Sequence, residues 1–329
     1  MPDVSVIIVN YRTPHLTVAA IVSLRSVTQA TLEFIVVDND SGDNSHQIIT
    51  EAIPEVIWHQ SGYNAGFGRA NNAAMRLAQG RYFLLLNADT LQTGAVLDEC
   101  VRRLDAEPDI AACAPVQLYP DGSPMPYHRS FAELLRTFYI LPNRTIFKKA
   151  LTWLTPENRH ADPRQHDWLV GAFMVVRREA VVRAGGFDER FFMYAEDVEW
   201  CNRLRKTGKL CYFTDLGFIH LENQSDVRRQ QPTYVNRFGV QNQVSNLLWV
   251  RTQYGVAVYL SIILNYLVLT PLFYGWKIFI NVLRKGKPTD PLDTQHLFAR
   301  KVIALLHYFW PVFFNRPGFY KIAPADNLQ

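Results

Sequence analysis

The chain has 329 residues, of which 48% are hydrophobic, 13% aromatic and 19% charged, and 34 Lys and Arg against 30 Asp and Glu give a formal charge of +4. That apolar fraction supports a sizeable core and excludes general disorder, and the length allows one large domain or two. A charge of +4 is too small for a dedicated nucleic-acid binder, so no nucleic-acid partner is expected. Four scattered cysteines, Cys100, Cys113, Cys201 and Cys211, form no Cys-x-x-Cys pair, which excludes a disulfide scaffold, argues against a zinc site and fits a reducing compartment. The charge is uneven. Residues 1–250 hold 25 basic and 27 acidic side chains, whereas residues 251–329 hold 9 and 3, so the whole basic excess lies in the C-terminal part.

A strand, Val4–Val9, opens the pattern with no basic n-region before it, so no signal peptide is expected. A helix over Leu16–Val27 has apolar residues at Leu16, Ala19, Ala20, Leu24 and Val27, close to the 3.6-residue period. The strand Phe34–Val37 ends in Asp38-Asn39-Asp40. A helix near 44–52, a short strand Val56–Trp58 and a helix near 67–79 closed by Gly80 come next, and the strand Tyr82–Leu86 ends in Asn87-Ala88-Asp89. Near-continuous apolar strands separated by helices predict a parallel sheet covered on both faces. Ligands bind such sheets beyond the carboxyl ends of the strands, where these acidic clusters fall.

From 119 to 166 the pattern breaks, with Pro120, Pro124, Pro126, Pro142, Pro156 and Pro163, several basic residues and one helical stretch near 131–152. This reads as an excursion over the active face. A second regular block predicts a strand Trp168–Val176, a helix Arg178–Ala184 stopped by Gly185-Gly186, a helix Glu196–Thr207 ending at Gly208 and a strand Leu210–Phe213.

The C-terminal part differs in kind. Thr252–Trp276 is 25 residues without a charge, about 37 Å as a helix against a hydrocarbon core of ~30 Å. Lys277, Arg284, Lys285 and Lys287 follow it, while Asn265 and Pro271 interrupt it; Val302–Phe314 is apolar and aromatic but too short to span. Three readings are open: a membrane span, a helix in the membrane interface, or a buried helical hairpin. The Trp, Tyr and basic flanks favour an anionic cytoplasmic leaflet.

Several residues could carry chemistry. Asp38 closes a strand and can accept the N–H of a pyrimidine base, or serve as a loop acid near a helix start. A carboxylate at the end of a buried strand, as at Asp89, calls for a partner, and a divalent cation bridging phosphates is one. The segment Asn64-Ala65-Gly66-Phe67-Gly68-Arg69 opens a helix and could set backbone N–H groups and Arg69 near a nucleotide, although it lacks the third glycine of a dinucleotide fingerprint. Glu196 and Asp197 stand at a helix start after an aromatic approach. There an ionised carboxylate suits a general base, or else Asp197 caps the helix beside a solvated Glu196. His220, 23 residues after Asp197, ends an apolar stretch and is a candidate metal ligand or a structural histidine.

In this order, Val6-Ile7-Ile8-Val9-Asn10-Tyr11, Val36-Val37-Asp38-Asn39, Asn64-Ala65-Gly66-Phe67 with Asn71, Leu85-Leu86-Asn87-Ala88-Asp89, Val170-Gly171-Ala172-Phe173-Met174, Gly185-Gly186-Phe187-Asp188-Glu189 and Phe192-Met193-Tyr194-Ala195-Glu196-Asp197 resemble glycosyltransferase family 2, inverting enzymes of the GT-A fold, and most of all its rhamnosyltransferase-like branch. The likeness covers roughly residues 3–225. It implies an α/β fold with a mixed, mainly parallel sheet over 1–235, divided into a nucleotide-sugar half (1–118) and an acceptor half (119–235), and the apolar, basic C-terminal part is read as a helical membrane-association region (236–329). The likeness also implies a dTDP- or UDP-sugar donor, Mg²⁺ or Mn²⁺ as cofactor, and transfer, with L-rhamnose as the first expectation, to a lipid-linked glycan in cell-surface polysaccharide synthesis. The expected location is the cytoplasmic face of the inner membrane, peripheral or with one C-terminal segment in it. By this resemblance Asp197, with Glu196 beside it, is the catalytic base. Asn10, Tyr11, Asp38, Asn64, Gly66, Arg69 and Asn87 bind the nucleotide-sugar, Asp89 and His220 hold the metal, and His128, Arg129, Trp168 and Gly171 face the acceptor. The family's Asp-x-Asp metal motif reads Asn87-Ala88-Asp89 here, leaving one carboxylate. Rival expectations are a UDP-hexose transferase for capsule or exopolysaccharide and a catalytically inactive, membrane-bound glycan-binding protein.

Overall fold

The computed structural model of the chain describes residues 1–141, 144–221, 239–283 and 292–322. Pro142, Arg284, Lys285, Lys287 and the expected boundary at 235/236 lie outside the described residues. The chain divides into two compact units, one made of Met1–Phe131, Asn158–Phe192 and Glu196–Ser225, the other of Ala132–Glu157, Met193–Ala195 and Asp226–Gln329.

The first unit alternates β1 (Val4–Asn10), α1 (Pro14–Val27), β2 (Leu32–Asp38), α2 (Ser45–Ala52), β3 (Ile57–Gln60), α3 (Gly66–Leu77) and β4 (Tyr82–Asn87). The short β5 (Thr90–Leu91), then α4 (Val96–Ala106) and β6 (Ile110–Leu118), continue the chain to its break at Tyr119. After the excursion come β7 (Phe173–Arg177), α7 (Arg178–Ala184), α8 (Glu196–Leu204) and β8 (Lys209–His220); helices α5 (Phe131–Thr137) and α6 (Thr145–Leu154) lie within the excursion. The eight strands form one sheet in the order β3-β2-β1-β4-β7-β6-β8-β5. β3, β2, β1 and β4 are parallel, β7 runs antiparallel to both neighbours, and β8 is parallel to β6. The sheet is therefore mixed. Alternate residues of the strands feed two cores: Val4, Val6 and Ile8 pack with Ile21 and Leu24 of α1 and Leu97 of α4, while Ile7 packs on the other face with Ala70 and Ala74 of α3 and Trp200 of α8. All four cysteines are buried and free.

Some boundaries move from their sequence expectations. The strand expected over Trp168–Val176 begins only at Phe173, because residues 168–172 act as a connector whose backbone serves the site. The single helical stretch near 131–152 is two short helices, and the helix expected to Thr207 ends at Leu204.

In the second unit α9 (Val240–Leu283) is broken at Gly255, whose φ of 85° and ψ of −174° are not helical. α10 (Asp293–His307) and α11 (Phe309–Phe313) return antiparallel along it. Tyr274 Oη meets His296 Nε2 at 3.2 Å, Tyr259 Oη donates to the Phe309 carbonyl at 3.0 Å, and Arg251 Nε donates to the Phe313 carbonyl at 2.8 Å. Among the described residues α9 is the one helix long and apolar enough to cross a membrane, and 22% of its most apolar window is buried. Leu264, Leu272, Trp276, Phe279 and Val282 are exposed, while Tyr259, Ile262, Ile263 and Tyr266 of the same run are buried. Asn265, an interruption in the apolar run, is satisfied by both backbone groups of Ile140, at 2.8 and 3.0 Å.

Candidate active site

The carboxyl edge of the sheet collects several of the expected site residues. Asn10, Asp38 and Asn87 end β1, β2 and β4, and register pairs Asn10 with Asp38 and Val9 with Asn87. Adjacent strands lie ~4.8 Å apart, so these three ends span about 10 Å.

Asp38 is 3% exposed and saturated. Its Oδ1 accepts from Asn10 Nδ2 (2.7 Å) and Ser41 Oγ (2.5 Å), and its Oδ2 from Ser41 N (2.9 Å) and Gln60 Nε2 (2.9 Å). Burial alone would raise this carboxyl, yet the Ser41 hydroxyl and amide, Gln60 and Asn10 hold it below the usual carboxylate range. Gln60 carried no signal in the sequence, and Ser41 read there only as a candidate helix cap. Gln60 lies at the exposed end of β3. Asn10 also accepts from Thr17 Oγ1 (3.1 Å), which fixes its amide, while Tyr11 is exposed beneath the Arg12 guanidinium.

The Asn64–Arg69 segment is held from several sides. Asn64 Oδ1 accepts from Gly66 N (3.1 Å), Asn39 Nδ2 donates to the Gly66 carbonyl (2.8 Å), and Phe67 N donates to the Phe192 carbonyl (3.0 Å). Gly66 has φ +72°, and a Cβ there would stand 1.9 Å from the Phe192 oxygen, so only glycine fits. Arg69 does not point its Nε at an open site; it donates to the Glu189 carbonyl at 2.8 Å. Asn72 clamps the same Gly-Gly-Phe-Asp-Glu segment, accepting from Phe187 N (2.7 Å) and donating to the Phe187 carbonyl (2.9 Å). The sequence displayed Asn39 and Asn72 without disclosing these bonds.

Asp89 and His220 are brought together by the β5–β8 pairing of Thr90 with His220. His220 Nε2 lies 3.1 Å from Asp89 Oδ1 and 3.5 Å from Asn87 Nδ2, and its Nδ1 lies 2.8 Å from Gln117 Oε1. An acceptor oxygen at Nδ1 makes that nitrogen the donor. Nε2 then faces the Asp89 carboxylate. The donor set of one carboxylate and one imidazole thus fits a divalent cation. Among the described residues no group of three or more His, Cys, Asp or Glu side chains gathers as a metal site, so a cation here would draw its other ligands from phosphate oxygens and water. Gln117, on β6, is the orienting partner that sequence reading missed.

The connector before β7 links this pair to Glu196 and Asp197. Asn87 N donates to the Ala172 carbonyl (2.9 Å), and the preceding Gly171 N donates to Asp197 Oδ2 (3.1 Å). Asp197 Oδ1 accepts from Val198 N at 2.8 Å. Gly171 leaves just enough room, since a Cβ would stand 3.3 Å from the Phe67 ring and 3.7 Å from Asp197 Cβ. Tyr194 and Ala195 enter the helix at φ of +72° and +61°, a left-handed pair of non-glycine residues of the strained kind found at functional turns. Glu196 is 5% exposed, and its Oε2 is buried without a hydrogen-bond partner among the described residues, so it is not the solvated side chain of the capping alternative. Burial, and then the charge of Asp197, pushes Glu196 up to about 8; burial also raises Asp197, opposed by its backbone N–H donors. Both carboxyls of the pair therefore hold a proton more tightly than a carboxyl in water does.

Of the expected acceptor-side residues, His128 and Arg129 are exposed, and the Arg129 carbonyl accepts from Asp167 N at 3.0 Å. Trp168 is half-buried, and its Nε1 is buried without a partner among the described residues. Asp167, which the sequence did not mark, is 1% exposed and pins the excursion: it accepts from Phe131 N (3.0 Å) and Asn158 Nδ2 (3.1 Å) and meets His160 Nε2 at 3.1 Å.

A family model described as Glycosyl transferase family 2 matches residues 5–182. The N-acetylglucosaminyl-diphospho-decaprenol L-rhamnosyltransferase of Mycobacterium tuberculosis is 30% identical over 214 residues, covering 61% of this chain and 69% of that protein. Rhamnosyltransferase WbbL of Escherichia coli K12 is 29% identical over 182 residues, covering 50% and 65%. Among solved structures, the mannosyltransferase PcManGT of Pyrobaculum calidifontis, in complex with GDP-Man and Mn²⁺, superimposes with a TM-score of 0.54 at 15% identity over 93% of this chain and 87% of that one. Staphylococcus aureus TarS 1–349 does so with a TM-score of 0.51 at 14% identity, over 95% and 88%, and both likenesses identify the GT-A-type fold. With strand-end acids on one edge of that fold and the family match over more than half its length, the chain belongs to glycosyl transferase family 2, in its rhamnosyltransferase-like part, and is a nucleotide-sugar glycosyltransferase.

Proposed function

We propose that the protein transfers L-rhamnose from dTDP-rhamnose, with inversion, to a hydroxyl of a lipid-linked glycan in cell-surface polysaccharide synthesis, at the cytoplasmic face of the inner membrane. Residues 1–235 are read as the transferase domain and 236–329 as the membrane-association region. The observation that carries the reading is the backbone bridge at Gly171–Ala172, which hangs Asp197 one residue from the strand end that bears Asn87 and Asp89. The names of the M. tuberculosis and E. coli relatives support the donor sugar and, for the first, a polyprenyl diphosphate acceptor.

In this mechanism the acceptor oxygen bonds to the anomeric carbon as the bond from that carbon to the diphosphate oxygen breaks. Asp197 takes the acceptor proton, and its raised affinity for a proton brings it nearer the operating pH of a general base. Glu196, buried beside it, favours the protonated form through burial and the Asp197 charge. Asp38, Asn10 and Gln60 form the polar edge against the nucleotide base, with the Gly66 turn beside them. Asp89 and His220 would hold a divalent cation, which would supply positive charge to the nucleoside diphosphate leaving group. Gln117 orients the His220 ring. His128, Arg129, Trp168 and Gly171 are assigned to the acceptor side.

The test is a panel of nucleotide-sugars, with and without Mg²⁺ or Mn²⁺, scored for binding and for transfer to a polyprenyl-diphosphate-linked acceptor. Transfer from dTDP-rhamnose in the presence of the cation is expected. Transfer from a UDP-hexose alone would replace the donor, and binding of no donor would overturn the reading.

A further inference from the structure

Helix α6 (Thr145–Leu154) belongs to the second unit and buries none of its residues. At 100° per residue, Ile146, Phe147, Ala150, Leu151, Trp153 and Leu154 fall within about 160° of arc, and Lys148 and Lys149 fall on the other side with Thr145 and Thr152. The apolar face is open to water: Ile146 is 72% exposed, Trp153 80%, Leu154 66% and Phe147 45%. The helix is nevertheless fixed in place. Arg136 of α5 donates to Thr155 Oγ1 (2.9 Å), the Thr155 carbonyl (2.6 Å) and Glu157 Oε1 (2.6 Å), just beyond the end of α6. The residues after α5 are fastened in turn to α9, through Tyr139 Oη with Ser261 Oγ (2.6 Å) and Ile140 with Asn265.

A contiguous patch of two aromatic and two aliphatic side chains in water marks an interaction surface. Ten residues are about 15 Å of helix, far too short to span a bilayer. A steep division into an apolar face with Trp and Phe and a face with lysines is the pattern of a helix lying in a membrane interface. The two lysines choose the lipid, because they meet anionic head groups favourably and would meet their own copies unfavourably across a dimer. The unit that carries α6 also carries the exposed apolar residues of α9 and the whole basic excess of the chain.

We propose that α6 is an in-plane lipid anchor, its Ile146–Phe147–Trp153–Leu154 face inserted at the head-group boundary of an anionic bilayer and Lys148 and Lys149 lying against the lipid phosphates. It adds a second element to the membrane reading of α9, and it is tested without donor or acceptor, so its failure is separate from failure of the transferase assignment.

The test uses the full chain carrying Leu154→Cys, labelled with an environment-sensitive fluorophore; the four native cysteines are buried. Vesicles of phosphatidylcholine alone are compared with vesicles that also contain phosphatidylglycerol. The expected result is a blue shift with anionic vesicles only. Lys148→Gln with Lys149→Gln should weaken the binding seen by this probe roughly tenfold or more. In flotation with the same vesicles, Ile146→Ser, Phe147→Ser, Trp153→Ser and Leu154→Ser together should lower partitioning, with thermal unfolding unchanged because these side chains are exposed. A probe that stays in water while the protein floats would overturn the proposal, since α9 alone would then bind lipid. A blue shift that appears without lipid and grows with protein concentration would overturn it in favour of a second copy.

Discussion

Replacing Asp197 with Asn tests the base, and the structure sets two magnitudes against each other. The two Asp197 oxygens accept from different backbone donors, Gly171 N at 3.1 Å and Val198 N at 2.8 Å. An Asn side chain offers one oxygen and one NH₂ group, so one of those N–H groups loses its acceptor, at a cost of about 1–3 kcal/mol. Removing a desolvated charge beside Glu196 works in the opposite direction, so the net change in stability is smaller than that. The catalytic loss is larger, because without a positioned base transfer should fall about 10²- to 10⁴-fold, equivalent to roughly 3–5 kcal/mol of barrier. The assay is transfer of labelled sugar at saturating donor, with donor affinity by calorimetry and thermal unfolding measured on the same preparation. Donor affinity is expected to hold within a few-fold. A rate within tenfold of wild type would refute the assignment of the base, and a matched loss of donor affinity would move Asp197 into donor binding.

Gly66→Ala should destabilise the protein by about 2–5 kcal/mol, combining a left-handed backbone with a Cβ against the Phe192 carbonyl. The control is Gly94→Ala, where a Cβ meets nothing within 4 Å; equal urea midpoints for the two variants would refute the close approach. Glu196 is raised from 4.5 to about 8 in the folded state, so its contribution to stability is fully present below 4.5 and is lost as pH rises through about 8. Glu196→Gln should flatten that decline in unfolding free energy between those limits, and an unchanged slope would remove the burial argument. Gln117→Leu should weaken Mn²⁺ binding in the presence of nucleoside diphosphate about 10- to 100-fold through loss of the His220 orientation, measured by titration of the cation. Undiminished affinity would separate Gln117 from the metal.

The parallel half of the sheet was legible because β1, β2 and β4 are buried on both faces and read as unbroken apolar runs, each followed by a polar cluster. The antiparallel β7 was not, since the apolar run of a central strand has no direction written in it. Residues 96–118, which form α4 and β6, gave no feature that drew attention, yet β6 supplies Gln117. Glu196 and Asp197 stand out as a pair in the sequence, but the burial that raises both, and the Gly171 donor to Asp197 from a distant segment, are visible only in the fold. Arg69 shows the reverse. Its position suggests a phosphate, and the structure gives its Nε to the carbonyl of Glu189, 120 residues on.

By itself the sequence determined the family, the fold class and the types of group at the strand ends, because these depend on local pattern and on motif order along one chain. It also set the apolar, basic character of the C-terminal part. Tertiary structure alone decided which of those groups meet. Asp89 meets His220 across 131 residues, and Gly171 holds Asp197 across 26. It decided too that α9 and α6 present apolar side chains to solvent, since amphipathic sequence states that a face must be covered and only packing shows whether the protein covers it. Hydrogen bonds and burial act through space, and a spacing read along the chain does not contain them.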